Sequence, residues 1–253
     1  MANVRPKADA VIVGLGWCGS LIAEELTRAG LNVVAIERGP CFETATDFPP
    51  SVDTDELRWD TRRSMLLPPA IETTTFRNNR SQTALPTRDW SMNELGYNVG
   101  GSGTHWAGMA WRFLPFDFEP YGFTLKRYGQ QQIEKGLIVQ DWGVTYDDLE
   151  PFYERFEKVA GVSGKAGVLN GKKIDGANIF EGNRKSEFPL PPLATTRLTD
   201  LFTDGTQKLG LHPFMVPAGQ TSQAYTNPLG VRMGPCTYCG YCLYYGCGNF
   251  SKS

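Results

Sequence analysis

The stretch ADAVIVGLGWCGSLIAEELTRAGLNVVAIERG, residues 8–39, decides the fold of this chain. Its apolar run 10–13 is bounded by Gly14, a pattern typical of a buried strand in a parallel sheet. An amphipathic helical pattern follows and ends at Gly30. A second apolar run, 33–36, then predicts another strand. The order strand, helix, strand predicts an α/β fold with a parallel sheet.

Three glycines, Gly14, Gly16 and Gly19, form a G-x-G-x-x-G pattern between the first strand and the helix. The first permits a tight turn, the second lets the backbone approach a pyrophosphate, and the third lets the helix pack closely on the strand. The helix N-terminus offers N–H groups and a partial positive charge to phosphates. Glu37, at the end of the second strand, is placed to accept a hydrogen bond from a ribose hydroxyl. The pattern predicts a Rossmann-like dinucleotide site, and the acidic residue disfavours NADP as the ligand. Both NAD and FAD remain possible. The alternative interpretation is a structural turn that binds no cofactor.

A second glycine-rich segment, VGGSGTHW, follows at 99–106. Gly100 and Gly101 allow close backbone approach and unusual backbone angles. His105, one of only two histidines, stands beside the large ring of Trp106. Such a segment, well downstream of the first, suits a cofactor that extends past its adenine half, as FAD does. The alternative interpretation of His105 is a packed histidine bonded to the backbone.

Composition excludes several classes of protein. The 253 residues are 41% hydrophobic and 21% charged with a net charge of −2, which is typical of a globular protein. Without a basic stretch interleaved with aromatics, nucleic acid is not expected as a partner. No apolar run reaches the roughly 20 residues of a membrane span. The N-terminus has no room for a signal peptide, so we expect a cytoplasmic chain, with a periplasmic or membrane-associated location arising only through a partner subunit.

The sequence predicts two regions in the chain. We expect the first domain to span 1–160, with a long excursion over 40–98 that covers a site or wraps a partner. Residues 161–253 form a linker and the start of a second region, in which His212 stands in a predicted strand with a structural role. No internal repeat is visible.

Two later helices are predicted. The first begins between Thr145 and Asp148, with Pro151 in its first turn. Its charged residues, including Glu154 and Glu157, are interpreted as a solvated face. The second covers the stretch TTRLTDLFTDGTQKLG.

Four cysteines, Cys236, Cys239, Cys242 and Cys247, crowd the end of the chain. Their spacing differs by one residue from the ferredoxin run C-x2-C-x2-C-x3-C, which favours an iron–sulfur cluster. A zinc site usually separates two knuckles by a longer insert, and paired disulfides need an oxidising compartment. Both remain open, as do uncoordinated thiols.

Three ordered segments, 11–39, 99–113 and 141–164, resemble the glucose–methanol–choline (GMC) oxidoreductases. Within that family they are most similar to the flavoprotein subunits of gluconate 2-dehydrogenases and related FAD-dependent sugar dehydrogenases. The resemblance covers nearly the whole chain from Ala8 onward. It implies an incomplete, GMC-type FAD-binding domain followed by the beginning of a substrate domain.

The resemblance also implies a reaction. FAD would oxidise the CH–OH group of a sugar, sugar acid or other alcohol, with hydride passing to flavin N5 and electrons then passing to an acceptor other than oxygen. Gly14, Gly16, Gly19 and Glu37 match the ADP-binding positions of the family. The segment beside the flavin is matched by Gly100, Gly101, Ser102, His105 and Trp106, of which His105 is implied to bond the flavin covalently.

The catalytic base of the family is a histidine far down the chain, and neither histidine here matches it. The catalytic residues are therefore unassigned, and we expect an N-terminal part that lacks the C-terminal catalytic part and is inactive alone. Related sugar dehydrogenases pass electrons through a cysteine-bound cluster to a cytochrome, which implies a small subunit and a cytochrome as partners. An NAD-linked dehydrogenase and a non-catalytic flavin-binding remnant are the alternatives.

Overall fold

The computed structural model describes residues 6–43, 47, 65–67, 73, 75–77, 79–86, 95–133, 139–239, 242 and 247. The chain folds into two compact units. Unit 1 comprises Met1–Ala107 with Cys239–Gly248, and unit 2 comprises Gly108–Tyr238 with Asn249–Ser253. Much of the predicted excursion over 40–98 lies outside the described residues.

Unit 1 opens with the predicted strand, helix and strand: β1 (Ala10–Val13), α1 (Trp17–Arg28) and β2 (Val33–Ile36). The two strands pair in parallel along their whole length. Gly30 follows α1 with φ +84°, the left-handed conformation in which a glycine ends a helix at little cost. The α/β arrangement predicted from this stretch is confirmed.

The prediction that β1 is a buried strand is right for only one of its two faces. Ile12 lies on the face toward α1, because a side chain added at Gly19 of that helix would sit 3.4 Å from its Cγ2 atom. Val11 and Val13 point to the opposite face, where they are 60% and 83% exposed. Side chains alternate across a strand, so a single packed helix buries only one of its faces.

The remaining strands are two-residue pieces that pair antiparallel. In unit 1 these are β3 (Thr75–Phe76) and β4 (Leu85–Pro86). Unit 2 contains α2 (Pro120–Tyr128), α3 (Tyr146–Ala160), β5 (Val168–Leu169), β6 (Lys172–Lys173), α4 (Arg197–Lys208), β7 (Tyr225–Thr226) and β8 (Arg232–Met233). None of the helices in the described ranges is both long and apolar enough to cross a bilayer.

Helix α3 begins at the predicted cap. The Thr145 hydroxyl accepts from the Asp148 N–H at 3.3 Å, and the Asp148 carboxylate accepts from the Thr145 N–H at 2.9 Å. This reciprocal pair is the capping box that satisfies two backbone donors at a helix start. The placement of Pro151 in the first turn was wrong: the helix starts at Tyr146, which puts the proline in the second turn.

The interpretation of Glu157 as part of a solvated face is also wrong. Glu157 is 3% exposed and Glu150 is 2% exposed, and both lie on the buried face of α3 with Tyr146 and Ala160. Glu154, by contrast, pairs with Lys158 at the partly exposed surface. The hydrophobic pattern misled because the core of unit 2 is charged at this point.

Two arginines make the burial of these carboxylates possible. Arg112 donates from Nε and Nη2 to the two oxygens of Glu157, each at 2.8 Å, and from Nη1 to the Tyr146 hydroxyl at 3.0 Å. Arg184, which is fully buried, donates from Nη1 to Glu157 at 3.1 Å. Arg112 also lies 3.4 Å from Glu150. We call Arg112, Tyr146, Glu150, Glu157 and Arg184 together the Arg112–Glu157–Arg184 network.

Protonation in this network follows from its charges. Burial works against the charged form of Arg112, but the hydrogen bonds and negative charge of Glu157 hold its pKa above the usual value. Burial raises the pKa of Tyr146, which keeps its hydroxyl neutral beside the guanidinium. Two carboxylates facing two guanidinium groups leave the network neutral overall, which is the condition for burying charges at tolerable cost.

The last predicted helix is confirmed as α4, capped by Thr196, whose side chain accepts from the Thr199 N–H. The strand predicted around His212 is wrong. Residues 211–217 are described and belong to no strand, and His212 is exposed. Extended backbone needs a neighbouring strand to become a sheet, and Pro213 removes one of the donors that such pairing would use.

Candidate cofactor site

The glycines after β1 behave as their spacing predicts. Gly14 has φ +92°, and a side chain there would meet no atom within 4 Å, so the turn opens onto free space. A Cβ at Gly19 would lie 1.9 Å from the Gly14 carbonyl oxygen, so α1 packs on β1 at a distance that only glycine permits. The turn and the close packing that a dinucleotide loop requires are both present.

The second glycine segment lies beside this loop. The Gly100 N–H donates to the Leu15 carbonyl oxygen at 2.7 Å, and Gly16 and Gly100 form a parallel bridge. A side chain on Gly101 would come 3.1 Å from the Gly16 Cα atom. Folding therefore brings together the two motifs that the sequence separates.

The N-terminus of α1 has the features of an anion-binding end. Its cap residue, Gly16, has no side chain that could cap the helix, and no acidic residue lies in the first turn. The partial positive charge of the helix end is thus not offset by a carboxylate of its own first turn. This is the arrangement that phosphate groups use in proteins.

Glu37 reaches into the same loop. Its Oε2 atom accepts from the Leu15 N–H at 2.7 Å, and its Oε1 atom accepts from the N–H groups of Arg38 and Gly39 at 2.8 and 2.9 Å. The Gly39 and Leu15 donors hold the pKa of Glu37 below its ordinary value. An ionised carboxylate offers about four acceptor positions, so one remains for a ligand hydroxyl.

The segment that contains His105 forms a 3-10 turn, Gly101–His105. Gly100 and Gly101 enter it with φ +98° and +58°. The Ser102 hydroxyl accepts from the Gly96 N–H at 3.0 Å, which ties the turn to the chain before it. His105 is 9% exposed.

Two residues that sequence reasoning missed lie at this turn. Trp17, the first residue of α1, meets Trp106 edge to face, with ring centroids 5.5 Å apart. Asn98 is 1% exposed and donates to the Met65 carbonyl oxygen at 3.0 Å, while its Oδ1 atom accepts no hydrogen bond from the described residues. The position of Trp17 inside the glycine motif was a visible signal in the sequence. No pattern in the sequence pointed to Asn98.

The four cysteines predicted as cluster ligands are assigned to both units. Cys236 belongs to unit 2, where its N–H donates to the Thr221 carbonyl oxygen, while Cys239, Cys242 and Cys247 belong to unit 1. Across the described part of the chain, no group of three or more histidine, cysteine or acidic side chains is arranged to hold a metal ion. No disulfide joins the six cysteines, all of which lie among the described residues.

Comparison with known proteins gives close relatives. No family model matches the chain. The gluconate 2-dehydrogenase flavoprotein of Pantoea cypripedii is 42% identical over 258 aligned residues, which cover 100% of this chain and 42% of the relative. The fructose dehydrogenase large subunit of Gluconobacter japonicus is 30% identical, covering 89% of this chain and 39% of the relative. A crystal structure of pyridoxine 4-oxidase from Mesorbium loti aligns with a TM-score of 0.43 at 20% identity, covering 89% of this chain and 37% of that one.

The chain therefore spans about two fifths of the length of the curated relatives that it matches. The resemblance inferred from its three motifs is confirmed by identity that extends along the whole chain. The chain belongs to the glucose–methanol–choline oxidoreductase family of flavoproteins.

Proposed function

We propose that this chain binds FAD and forms part of an oxidoreductase that acts on the CH–OH group of a sugar, a sugar acid or another alcohol. The observation that carries the proposal is the junction of the two glycine segments, where the Gly100 N–H donates to the Leu15 carbonyl oxygen. A cofactor that lies along both segments must be longer than a mononucleotide. The names of the two relatives, a gluconate dehydrogenase flavoprotein and a fructose dehydrogenase subunit, support the substrate class.

The residues of unit 1 fit the ADP half of FAD. Gly14 leaves open space above the turn, and the α1 N-terminus presents N–H groups toward a pyrophosphate. Glu37 has one acceptor position left for a ribose hydroxyl, and its lowered pKa keeps it ionised at neutral pH. When bound, FAD would supply a two-electron acceptor for alcohol oxidation.

The second segment fits the flavin half. We assign Gly100, Gly101 and Ser102 to the backbone that runs beside the ring system, and Trp106 to a flat contact with it. The buried Asn98 Oδ1 atom, with no donor among the described residues, is an acceptor that a ligand N–H would satisfy. His105 is proposed to hold the flavin covalently, since a neutral imidazole nitrogen is a competent nucleophile. The new bond would join that nitrogen to a methyl carbon of the flavin; the C–H and N–H bonds that it replaces would give up two protons and an electron pair, which the oxidised flavin would take up to become reduced.

The remaining proposals concern the catalytic base, the electron acceptor and the partner subunits of the whole protein. Neither histidine is assigned as the catalytic base, so this chain alone is expected to be inactive. Electrons would pass from the flavin to an acceptor other than oxygen. A small subunit and a cytochrome are the proposed partners. Any periplasmic or membrane association of the chain would come through these partners. Cys236, Cys239, Cys242 and Cys247 stay a prediction as iron–sulfur ligands.

The proposal is tested by loading the purified chain with FAD and, separately, with NAD, followed by gel filtration. We expect flavin absorbance to elute with the protein and no NAD to be retained. Added gluconate or fructose should leave the bound flavin oxidised. Retention of NAD without flavin would replace the proposal with an NAD-linked dehydrogenase, and bleaching by sugar would contradict the expected inactivity.

A further inference from the structure

We propose that Trp17 and Gly103 form a positioning contact that fixes the turn bearing His105 against the glycine loop at the start of α1. This inference rests on the proposed FAD site, because it names the residues that align the ADP half of that site with its flavin half. Trp17 is not one of the three glycines of the G-x-G-x-x-G pattern, and Gly103 is not among the residues assigned above to a cofactor contact. Both lie in unit 1.

The contact between them leaves no room for a side chain. A Cβ built on Gly103 would lie 1.6 Å from the Nε1 atom of Trp17 and 2.3 Å from its Cδ1 atom. Real atoms cannot approach so closely, so the indole ring lies directly against the Gly103 backbone. The first residue of α1 thereby contacts the middle of the 3-10 turn Gly101–His105.

The same indole also contacts the end of that turn. Trp106, which follows His105, meets Trp17 edge to face at 84° between the ring planes. Edge-to-face pairs are a favoured aromatic arrangement. Trp17 therefore touches the chain on both sides of His105, at Gly103 and at Trp106.

The backbone at Gly103 gives no other reason for a glycine. Gly100 and Gly101 have φ +98° and +58° and need glycine for their conformation, but Gly103 is outside the set with positive φ. An alanine at Gly103 would be conformationally ordinary if Trp17 were absent. The space occupied by the indole is what excludes a side chain.

A displaced indole or a displaced turn would change the cofactor site. Trp17 stands one residue after Gly16, the helix cap beside the proposed pyrophosphate position. The turn Gly101–His105 contains the proposed flavin contacts. Because the Trp17–Gly103 contact joins the two, it sets the distance between the phosphate end and the ring end of the site.

A double-mutant cycle in the full 253-residue chain tests this contact. The four proteins are the unmutated chain, Gly103→Ala, Trp17→Ala and the double variant. We expect Gly103→Ala to lower FAD affinity about tenfold in the unmutated background, within the range of measured couplings between touching residues. In the Trp17→Ala background the indole is gone, so the same alanine should change FAD affinity little.

Two further variants give the cycle its controls. Gly205→Ala in α4 adds a Cβ that would meet nothing within 4 Å, and it should leave FAD affinity unchanged. Trp17→Phe keeps an aromatic ring against Trp106 and should preserve the visible absorbance band of bound flavin, whereas Trp17→Ala should shift it. A role confined to folding would not move that band.

The outcomes separate this inference from the proposed function. If the unmutated chain retains FAD and Gly103→Ala costs the same affinity with and without Trp17, the positioning contact is refuted and the FAD site stands. Equal flavin spectra in all four proteins would refute it as well. If the unmutated chain retains no FAD, the proposed function fails and the inference fails with it.

Discussion

Glu37 is a carboxylate shared between the protein and the proposed ligand. Backbone N–H groups on both sides of the loop, from Leu15 and from Gly39, donate to it. They fix its position at the end of β2 and favour its ionised form. The residue thus stabilises the loop before any cofactor arrives and still has an acceptor position to offer.

Replacement of Glu37 by alanine should weaken FAD binding. The ribose hydroxyl would lose its acceptor, and an unmade hydrogen bond of this kind costs about 1–3 kcal/mol. Fluorescence titration with FAD measures the change. Glu24→Gln, which alters a surface pair with Arg28 away from the loop, is the matched control. Equal affinity of the Glu37→Ala and unmutated chains would remove Glu37 from the site.

The same carboxylate predicts a pH dependence. Its pKa in the folded chain lies below the ordinary value of 4.5, so its contribution to stability is fully present above 4.5. That contribution is lost as the pH falls through the lower, folded-state value. Unfolding free energies measured from neutral pH into the acid range should show this loss in the unmutated chain but not in Glu37→Gln. Parallel curves for the two proteins would speak against the lowered pKa.

His105 gives a direct chemical test. If its ring is bonded to flavin, acid-precipitated protein should stay yellow, and His105→Ala should release the colour into the supernatant. His212→Ala, which changes the exposed histidine in unit 2, should behave like the unmutated chain. Colour in the supernatant of the unmutated protein would leave only a non-covalent contact.

At this scale the sequence predicted local geometry better than contacts. The roles of Gly14 and Gly19 follow from a pattern within a few residues, and the structure has both. The contact of Trp17 with Gly103 could not be predicted, because the two residues are far apart in the chain and neither carries charge or periodicity that would join them.

Helix α3 shows the same limit at the scale of an element. Its cap at Thr145 was predictable, since a threonine and an aspartate three residues later satisfy each other locally. Its buried face was not, because Glu157 is held by Arg112 and Arg184 from distant parts of the chain. A charged residue on a helix is usually solvated, and only its partners reveal the exception.

Removal of the charge of Glu157 should destabilise unit 2 strongly. Glu157→Gln leaves two buried guanidinium groups without their shared counter-charge, and breaking a buried pair in this way costs about 3–5 kcal/mol. Glu154→Gln, on the same helix at the surface, should change the free energy of unfolding by about 0.5 kcal/mol or less. Urea unfolding measures both. Similar losses for the two variants would contradict a special role for the buried network.

At the scale of the whole molecule, the proposed cofactor site and the buried charge network lie in different units. Every residue assigned to the proposed FAD site lies in unit 1, and the Arg112–Glu157–Arg184 network lies in unit 2. A ligand stabilises the part of a protein to which it binds. The response to FAD should therefore differ between the units.

Hydrogen exchange with and without FAD tests that division. We expect added FAD to slow amide exchange in β1, in the start of α1 and in the 3-10 turn Gly101–His105, because these contain the proposed contacts. Amides of α4 should exchange at unchanged rates, which makes that helix an internal control. Protection spread evenly over both units would contradict the assignment of the site to unit 1.

The burial of the Arg112–Glu157–Arg184 network also has a consequence for ionic strength. Dissolved ions screen charges that face solvent, with a screening length of about 8 Å at physiological salt. The surface pairs Glu24–Arg28 and Glu154–Lys158 are open to such ions, whereas the side chains of Arg112, Glu157 and Arg184 are each 4% exposed or less. Added salt should therefore weaken the surface pairs on α1 and α3 and leave the buried network nearly untouched, so within unit 2 the two kinds of ion pair should respond differently to the same change in ionic strength.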